Sequence, residues 1–437
     1  MYQNKKVAFF TLGCKLNYSE TSTLARKFEQ QGFTRVDFKE EADVYVVNSC
    51  SVTEQSDKKS RNIIRQAIRR NPKALVAVVG CYAQLRPDAI ASINGVDLIL
   101  GTHEKYSITE RLGDLTKKPE TEIFTSKPRE QKQFHQAYSY GDRTRSFLKV
   151  QDGCNYFCTY CTIPMARGVS RNDTIANTVA EAEKIASNGI KEIILTGINI
   201  GDFGRSTGER FIDLIKELDK VEGIERFRIS SIEPNLLEDE IIEFVSQSRR
   251  FAPHFHIPLQ SGSDDVLHLM KRRYTRDIFA HRVETIKKLM PHAFIGVDLI
   301  AGTNGETEEF FLDSYNFIRD LDVTQLHAFP YSERPNTQAL NIQGPVSVDE
   351  RRNRCQQLIE LSGRKLHHFY EQHLGTKHNV LFESQRSKGK MFGFTDNYIR
   401  VELPYNAKLI NQIHTVELIG INANGHVDIR LIEGEGL

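Results

Sequence analysis

Short, almost uninterrupted apolar runs recur through the first hundred residues: VAFFTLGC (7–14), ADVYVVNSC (42–50), ALVAVVGC (74–81) and VDLILGT (96–102). Runs of this kind mark strands buried on both faces of a parallel sheet. The stretches between them, Ser19 to Gln31 and Asp57 to Arg70, are helix-like. Strand alternating with helix predicts a doubly wound parallel-sheet domain over residues 1–118. Residues 119–142 are polar and aperiodic, and read as a linker with an edge strand at most. Alternation resumes with RSFLKVQDGC (145–154), EIILTGIN (192–199), RFRISSIEP (226–234), HFHIPLQSG (254–262), FIGVDLIAGT (294–303) and TQLHAFPYS (324–332). Helical stretches separate these strands, Ile175 to Asn188 and Phe279 to Met290 among them. A partial barrel of about six βα units is therefore expected over 143–374, ending in a long amphipathic helix (347–374). From 375 the pattern turns to short alternating strands, HNVLFES, MFGFTDNYIRVELP and HTVELIGINANGHVDIRLI, which predict a small C-terminal β-barrel over 375–437. The expected class is α/β, in three domains.

The 437-residue chain is long enough for several cores, and its formal charge of +1 announces no nucleic-acid partner by itself. No run approaches the ~18 apolar residues of a membrane span. The apolar stretch in MYQNKKVAFF is too short for a secretory leader. Seven cysteines without a leader point to a reducing, cytoplasmic setting, where thiols bind metal or react more often than they pair.

The strongest local pattern is CNYFCTYC, which puts Cys154, Cys158 and Cys161 on one tight loop. Three such thiolates suit three irons of a [4Fe–4S] cluster whose fourth iron stays open. Zinc would need a fourth nitrogen or sulfur ligand, and His254 and His256 are distant in sequence. Cys14, Cys50 and Cys81 each close one of the first three apolar runs. In a parallel sheet the carboxyl ends of the strands share one edge, where open α/β sheets bind ligands. A second cluster with its own open iron is the expected occupant. Cys355 sits on the long helix just before Leu358, Ile359 and Leu361 and reads as a packed structural thiol. His367 and His368 on that helix read as surface residues.

The three-cysteine loop after the first strand of a βα barrel resembles the radical S-adenosylmethionine (SAM) superfamily. In that superfamily the open iron chelates SAM, and one electron cleaves it to a 5′-deoxyadenosyl radical. The resemblance implies that Thr196 and Gly197 in LTGIN lie along the SAM backbone, that Ser230, Ser231 and Glu233 in SSIEP face its ribose or amino group, and that Tyr160 lies near its adenine. TLGCKLN, VVNSCSVT, VVGCYAQ, CNYFCTYCTIPMARG, SSIEP and HIPLQSGSDDVLHLMKRRYT, in this order and ahead of a terminal β-barrel, resemble the methylthiotransferase family along essentially the whole chain. The resemblance implies two [4Fe–4S] clusters, two SAM molecules and a terminal TRAM domain that binds RNA or substrate. Its further implications are a sulfur source, a flavodoxin- or ferredoxin-type electron donor, no membrane and a monomer.

Lys15 in GCKLN is most similar to enzymes that convert N6-threonylcarbamoyladenosine next to the tRNA anticodon to its 2-methylthio derivative. Members acting on isopentenyl-adenosine tend toward GCQMN, and those acting on a ribosomal-protein aspartate toward GCPKN. The family's usual GFPGET is replaced by AGTNGET, Ala301 to Thr307, beside the expected active face. Since the chemistry would be carried by the clusters and SAM, no side chain is assigned as acid or base. Cations interleaved with rings suit single-stranded RNA, as with Arg386, Lys388 and Lys390 among Phe392, Phe394 and Tyr398. Arg167, Lys271, Arg272 and Arg273 are expected near barrel loops, in contact with RNA or the active site. The helix at 57–70 carries Lys58, Lys59, Arg61, Arg65, Arg69 and Arg70. A two-cluster electron carrier is the rival class; it needs no pocket of the TGIN and SSIEP kind.

Overall fold

The computed structural model describes residues 2–141 and 144–432. The expected boundary at 142/143 lies outside them. Strands β1 (Lys6–Thr11), β2 (Thr34–Val36), β3 (Val44–Ser49), β4 (Leu75–Gly80), β5 (Leu98–Leu100) and β6 (Glu122–Phe124) form one parallel sheet in the order β2-β1-β3-β4-β5-β6. Every side chain of β3 and β4 is buried. Separate apolar clusters cover the two faces, one around Tyr45, Val47 and Ile64, the other around Phe28, Val46 and Leu98. Two-sided burial explains why these strands read as unbroken apolar runs rather than alternating ones. The edge strand foreseen within 119–142 is β6, paired in parallel with β5.

The central unit has six further parallel strands: β7 (Ser146–Lys149), β8 (Glu192–Thr196), β9 (Arg226–Ile229), β10 (His254–Gln260), β11 (Phe294–Ala301) and β12 (Gln325–Pro330). They form two three-stranded sheets, joined between β9 and β10 by the isolated bridges Phe227–Phe251 and Ser231–His256. Helices after each strand bury their apolar faces against the outside, giving one core from Leu148 to Leu361. The long helix runs Val348–Gln372, with Ser347 accepting a bond from the Glu350 N–H at its start. Cys355 is buried on it in that core, and His367 is exposed beside Glu371. Strands β13 (Lys377–Ser387), β14 (Lys390–Thr395), β15 (Arg400–Pro404), β16 (Ile413–Ile421) and β17 (Val427–Leu431) close into a small barrel. The α/β class with a separate C-terminal sheet domain agrees with the expectation from sequence.

Buried ions join the three units. Glu20 on the helix Lys15–Gln30 has no exposed surface and meets Lys105, Lys149 and Arg167. Burial alone would raise its pKa, but these three cations hold it well below the usual carboxylate range. Glu192, opening β8, sits between Arg226 and Arg228. Arg228 also donates to the carbonyls of Thr395 and Asp396, which ties the C-terminal barrel to the strand starts. Burial pushes Glu192 up, yet Arg226, Arg228 and Arg145 bring it down to about 2. A carboxylate depressed in the fold stabilises it above the unfolded-state pKa and loses that contribution as pH falls through the folded value. Acid unfolding of the wild-type chain, followed by circular dichroism, should therefore steepen from about pH 4.5 downward; a Glu192→Gln variant should be less stable at pH 7 and show a weaker acid slope.

Candidate functional site: two cysteine triads and the lumen between them

Strands β1, β3 and β4 are neighbours, and each delivers a cysteine just past its carboxyl end. In register, Ser49 pairs with Gly80, so Cys50 and Cys81 leave adjacent strands at the same level. Gly13 has φ +98°, and a Cβ there would lie 3.0 Å from the Cys50 Sγ. Glycine is thus what lets the Cys14 turn close against Cys50. Asn17 pins this turn, its Nδ2 donating to the Leu12 and Ser49 carbonyls. Cys14 is exposed while Cys50 and Cys81 are buried. Burial pushes the Cys50 thiol up to about 12, with Cys81 and Cys14 close enough to add to the shift.

The second triad follows β7. Cys154 Sγ accepts from the Tyr156 N–H at 3.3 Å and Cys161 Sγ from the Ile163 N–H at 3.5 Å. Cys158 Sγ accepts from Arg272 Nη1 at 3.0 Å. Burial pushes Cys154 and Cys161 up to about 12, and each feels the Cys158 thiol. Such thiols become thiolates only with a cation to stabilise them. Among the described residues no three His, Cys, Asp or Glu side chains converge on a point that would hold a single metal ion. A cluster distributes its thiolates over separate irons, so spaced sulfurs with N–H donors fit it better than they fit zinc.

Around this triad, Tyr160 is half-buried and its hydroxyl accepts from Arg272 Nη1 at 3.3 Å. Arg272 also ion-pairs with Glu233, so Tyr160, Glu233 and Cys158 share one guanidinium. Thr196 is buried at the end of β8, and a Cβ on Gly197 would meet Ile200 at 2.8 Å and Gln151 at 3.0 Å. Gln151 Oε1 accepts from the N–H groups of Ile198 and Asn199, holding the TGIN loop. Ser230 is buried just past β9, whereas the Ser231 hydroxyl is engaged with His256 Nδ1. Asn199 is buried with neither amide atom hydrogen-bonded, and Asp202, near enough to influence Cys154, has one free carboxylate oxygen. Buried orphan groups at strand ends suit a polar ligand such as SAM. Asn199, Asp202 and Gln151 do not stand out in the sequence. Their only signal there is adjacency to the TGIN and CNYFC segments.

Several expected RNA contacts are corrected. Arg167 is buried, bonding Asn17, Glu20 and Asp152, and its charge also reaches the Cys81 thiol. It joins the two triads and does not face solvent. Arg272 has 3% side-chain exposure and serves Cys158 and Glu233. Phe392 is buried beneath Arg400, and Phe394 stacks on Tyr398, which packs against Phe294. Those rings build interfaces. Lys271, Arg273, Arg386 and Lys388 are exposed and Lys390 half-buried. Arg61 bonds Tyr82, while Lys58, Lys59, Arg65 and Arg69 stand exposed on the helix Glu54–Arg70. In the AGTNGET loop Thr303 and Asn304 line a small cavity with Tyr160, and Arg354 holds Glu306 at 3.2 Å. The loop thus adjoins the aromatic ring of the second triad. An Arg272→Lys variant loses the planar fork that serves three partners. It should raise the apparent KM for SAM about tenfold, as for the loss of one or two charged hydrogen bonds, measured by initial rates of SAM cleavage.

A partial barrel of parallel strands, with three cysteines looping from its first strand and polar orphans at the next strand ends, defines a radical SAM enzyme. Residues 148–318 match the Radical SAM superfamily model, and residues 6–101 match the model described as Uncharacterized protein family UPF0004. The chain is 38% identical over 98% of its length to the threonylcarbamoyladenosine tRNA methylthiotransferase of Bacillus subtilis (strain 168), covering 97% of that protein. It is 33% identical over 99% of its length to the enzyme of that name from Thermotoga maritima, again covering 99%. A tRNA-2-methylthio-N(6)-dimethylallyladenosine synthase of Desulfitobacterium hafniense is 30% identical, with 96% of each chain covered. Among solved structures, a radical SAM methyltransferase from Kitasatospora setae shares the fold with TM-score 0.56 at 15% identity, over 90% of this chain and 82% of that one. The chain belongs to the methylthiotransferase family of radical SAM enzymes. Membership in the superfamily entails SAM and a [4Fe–4S] cluster. No helix among the described residues is long and apolar enough to cross a membrane.

Proposed function

We propose that this enzyme places a methylthio group on carbon 2 of N6-threonylcarbamoyladenosine next to the anticodon of tRNA. The observation that carries the reading is the pair of cysteine triads joined by one buried arginine: Arg167 leaves the segment after Cys161 and is bonded to Asn17 and Glu20 on the helix after Cys14. Cys154, Cys158 and Cys161 hold the SAM cluster, and Cys14, Cys50 and Cys81 a second one. When bound, these groups supply a carbon-centred radical, an activated methyl group and a site for sulfur. The protein's role is to hold the adenine between the two triads, a positioning task. Arg167, Glu20, Lys149 and Asp152 fix the separation of the loops. Arg334, bonded to Ser51 and Asp57, secures the strand end that carries Cys50.

Tyr160, Thr196, Gly197, Ser230 and Glu233 with Asn199 and Asp202 form the SAM pocket, and Ser231 acts on it through His256. Residues 1–118, 143–374 and 375–437 serve as sulfur-bearing, radical and RNA-holding units around the 119–142 connection. A sulfur source and a one-electron donor of flavodoxin or ferredoxin type complete the reaction. Lys271, Arg273, Arg386, Lys388 and Lys390 contact the RNA backbone. An Arg386→Ala, Lys388→Ala double variant should weaken tRNA binding and lower the salt slope of log Kd by about 2, measured by filter binding across a salt series. The function itself is tested by anaerobic turnover of reconstituted enzyme with SAM, sulfide, dithionite and tRNA from cells lacking the activity. Nucleoside mass spectrometry should show a methylthio gain on threonylcarbamoyladenosine. A gain on isopentenyl-adenosine instead would reassign the substrate.

A further inference from the structure

The basic helix of the N-terminal unit has no part in the function proposed above. Its N-cap, Thr53, accepts from the Ser56 N–H, so the helix Glu54–Arg70 opens directly after the Cys50 turn. Arg334, from the segment after β12, bonds Ser51 and Asp57 and anchors that start to the central unit. Asp57, Ser60, Ile63, Ile64 and Ala67 form the buried face of the helix. Lys58, Asn62, Arg65 and Arg69 follow one another at helical spacing, so they share one stripe, and all four are exposed. At ~100° per residue that stripe lies opposite the buried face. Lys59 is exposed beside it.

Folding does not account for these charges. The helix carries six cations against Glu54 and Asp57, whereas the whole chain is only +1, so the rest of the chain is net negative. Both acids are committed, Glu54 to Arg61 and Arg334, and Asp57 to Arg334. Arg61 also bonds the Tyr82 hydroxyl, and Arg70 the Phe38 carbonyl. Lys58, Lys59, Arg65 and Arg69 have no side-chain hydrogen bond or ion pair among the described residues. The long helix Val348–Gln372 is built differently. There Arg351, Arg352 and Arg354 each pair with a carboxylate, while Arg364 and Lys365 donate to the Tyr315 hydroxyl and to backbone carbonyls. Lys58 and Lys59 also lie in the first turns, where positive charge opposes the helix dipole, and Arg65 and Arg69 are a like-charged i, i+4 pair. Both arrangements weaken the helix.

A stripe of unneutralised cations attracts a polyanion, whose counterions are released on contact. We propose that the outward face of the helix Glu54–Arg70 docks the phosphate backbone of the substrate tRNA, with Lys58, Lys59, Arg65 and Arg69 as its contacts. The inference rests on the function proposed above and adds a surface to it: the RNA lies across the N-terminal unit as well as the other two. From Lys58 to Arg69 is ~16 Å along the helix axis, the length of roughly five nucleotide steps. The stripe starts near the Cys50 turn, so a backbone held along it brings a base toward the first triad. An acidic electron-donor protein is another polyanion that a basic face attracts. Its electron is needed at the cluster of Cys154, Cys158 and Cys161, whereas this helix leads away from Cys50, and the position therefore favours RNA.

The test uses reconstituted full-length enzyme, tRNA from cells lacking the activity, and filter binding across a salt series. A Lys58→Gln, Lys59→Gln, Arg65→Gln, Arg69→Gln variant should bind about ten- to a hundredfold more weakly at low salt, and its salt slope of log Kd should fall by about 3 to 4. Lys58→Gln with Lys59→Gln, and Arg65→Gln with Arg69→Gln, should each lose about half of that slope. Arg65→Lys with Arg69→Lys, which keeps the charge, should lose almost none. A control with Lys184→Gln, Lys191→Gln, Lys216→Gln and Lys220→Gln changes the net charge equally, at lysines already paired with glutamates, and should keep the wild-type slope. Equal slopes for the fourfold variant and the wild type overturn the proposal. So does an equal loss in the control, which would make the effect one of net charge. A fourfold variant that keeps its tRNA affinity but needs more flavodoxin for half-maximal SAM cleavage would overturn it in favour of protein docking. The two pair variants decide the matter if circular dichroism shows the fourfold variant misfolded. Methylthiolation by wild-type enzyme is run alongside. tRNA bound without a methylthio product counts against the proposed function, whereas the slopes report on the helix alone.

Discussion

Replacing Cys14 with alanine should abolish methylthiolation while SAM is still cleaved to 5′-deoxyadenosine. Cys14 is the exposed member of a triad built on three adjacent strand ends of the N-terminal sheet. The loop proposed to bind the other cluster gets its donors from Tyr156, Ile163 and Arg272, none of which touches Cys14. Removing one thiolate should therefore disable the sulfur-bearing side and leave the radical side intact. Cys158→Ala should stop both, because it takes away a thiolate of the SAM cluster and the acceptor of Arg272. Measuring 5′-deoxyadenosine and the methylthio nucleoside in the same anaerobic reaction separates the two variants. If Cys14→Ala lost SAM cleavage as well, the division of labour between the triads would be wrong.

The second large effect concerns stability. Glu20→Gln keeps the shape but removes the negative charge that Lys105, Lys149 and Arg167 surround, leaving Asp152 to serve the latter two. Breaking a buried ionic group from one side costs about 3–5 kcal/mol, because uncompensated charge stays buried. The variant should unfold at markedly lower denaturant concentration. Since the same network separates the triads, methylthiolation should fall further than SAM cleavage in whatever fraction stays folded. Glu20 is depressed in the fold, so its contribution is present above the usual carboxylate pKa and lost as pH falls below it. The gap between wild type and Glu20→Gln should accordingly narrow in acid, as circular dichroism melts at several pH values would show.

Much of this arrangement is legible in the sequence. Strands β1, β3, β4 and β5 stand out because burial on both faces makes them solidly apolar. Strand β2 does not, and β6 shows only as an edge strand without a position within 119–142, since each is three residues long and partly exposed at a sheet edge. The six cysteines can be grouped from spacing and strand ends alone, because both triads sit where parallel strands stop. The fate of individual cations is not legible. Arg167 and Arg272 look like Arg273 in a one-dimensional reading, and only packing shows that the first two are buried among carboxylates, tyrosines and thiols while the third stays exposed. Aromatic residues of the C-terminal barrel are ambiguous for the same reason. A ring that stacks on RNA and one that seals a domain interface obey the same pattern, and Tyr398 is held by Phe294 and Phe394.

Everything proposed for the reaction depends on each cysteine triad holding its own cluster. Iron content with Mössbauer spectra of the anaerobically reconstituted protein tests this directly. The wild type should hold about eight irons per chain, all in four-iron clusters, and each triple variant, Cys14/Cys50/Cys81→Ala or Cys154/Cys158/Cys161→Ala, should retain about four. About four irons in the wild type, with none left once the central triad is removed, would contradict it.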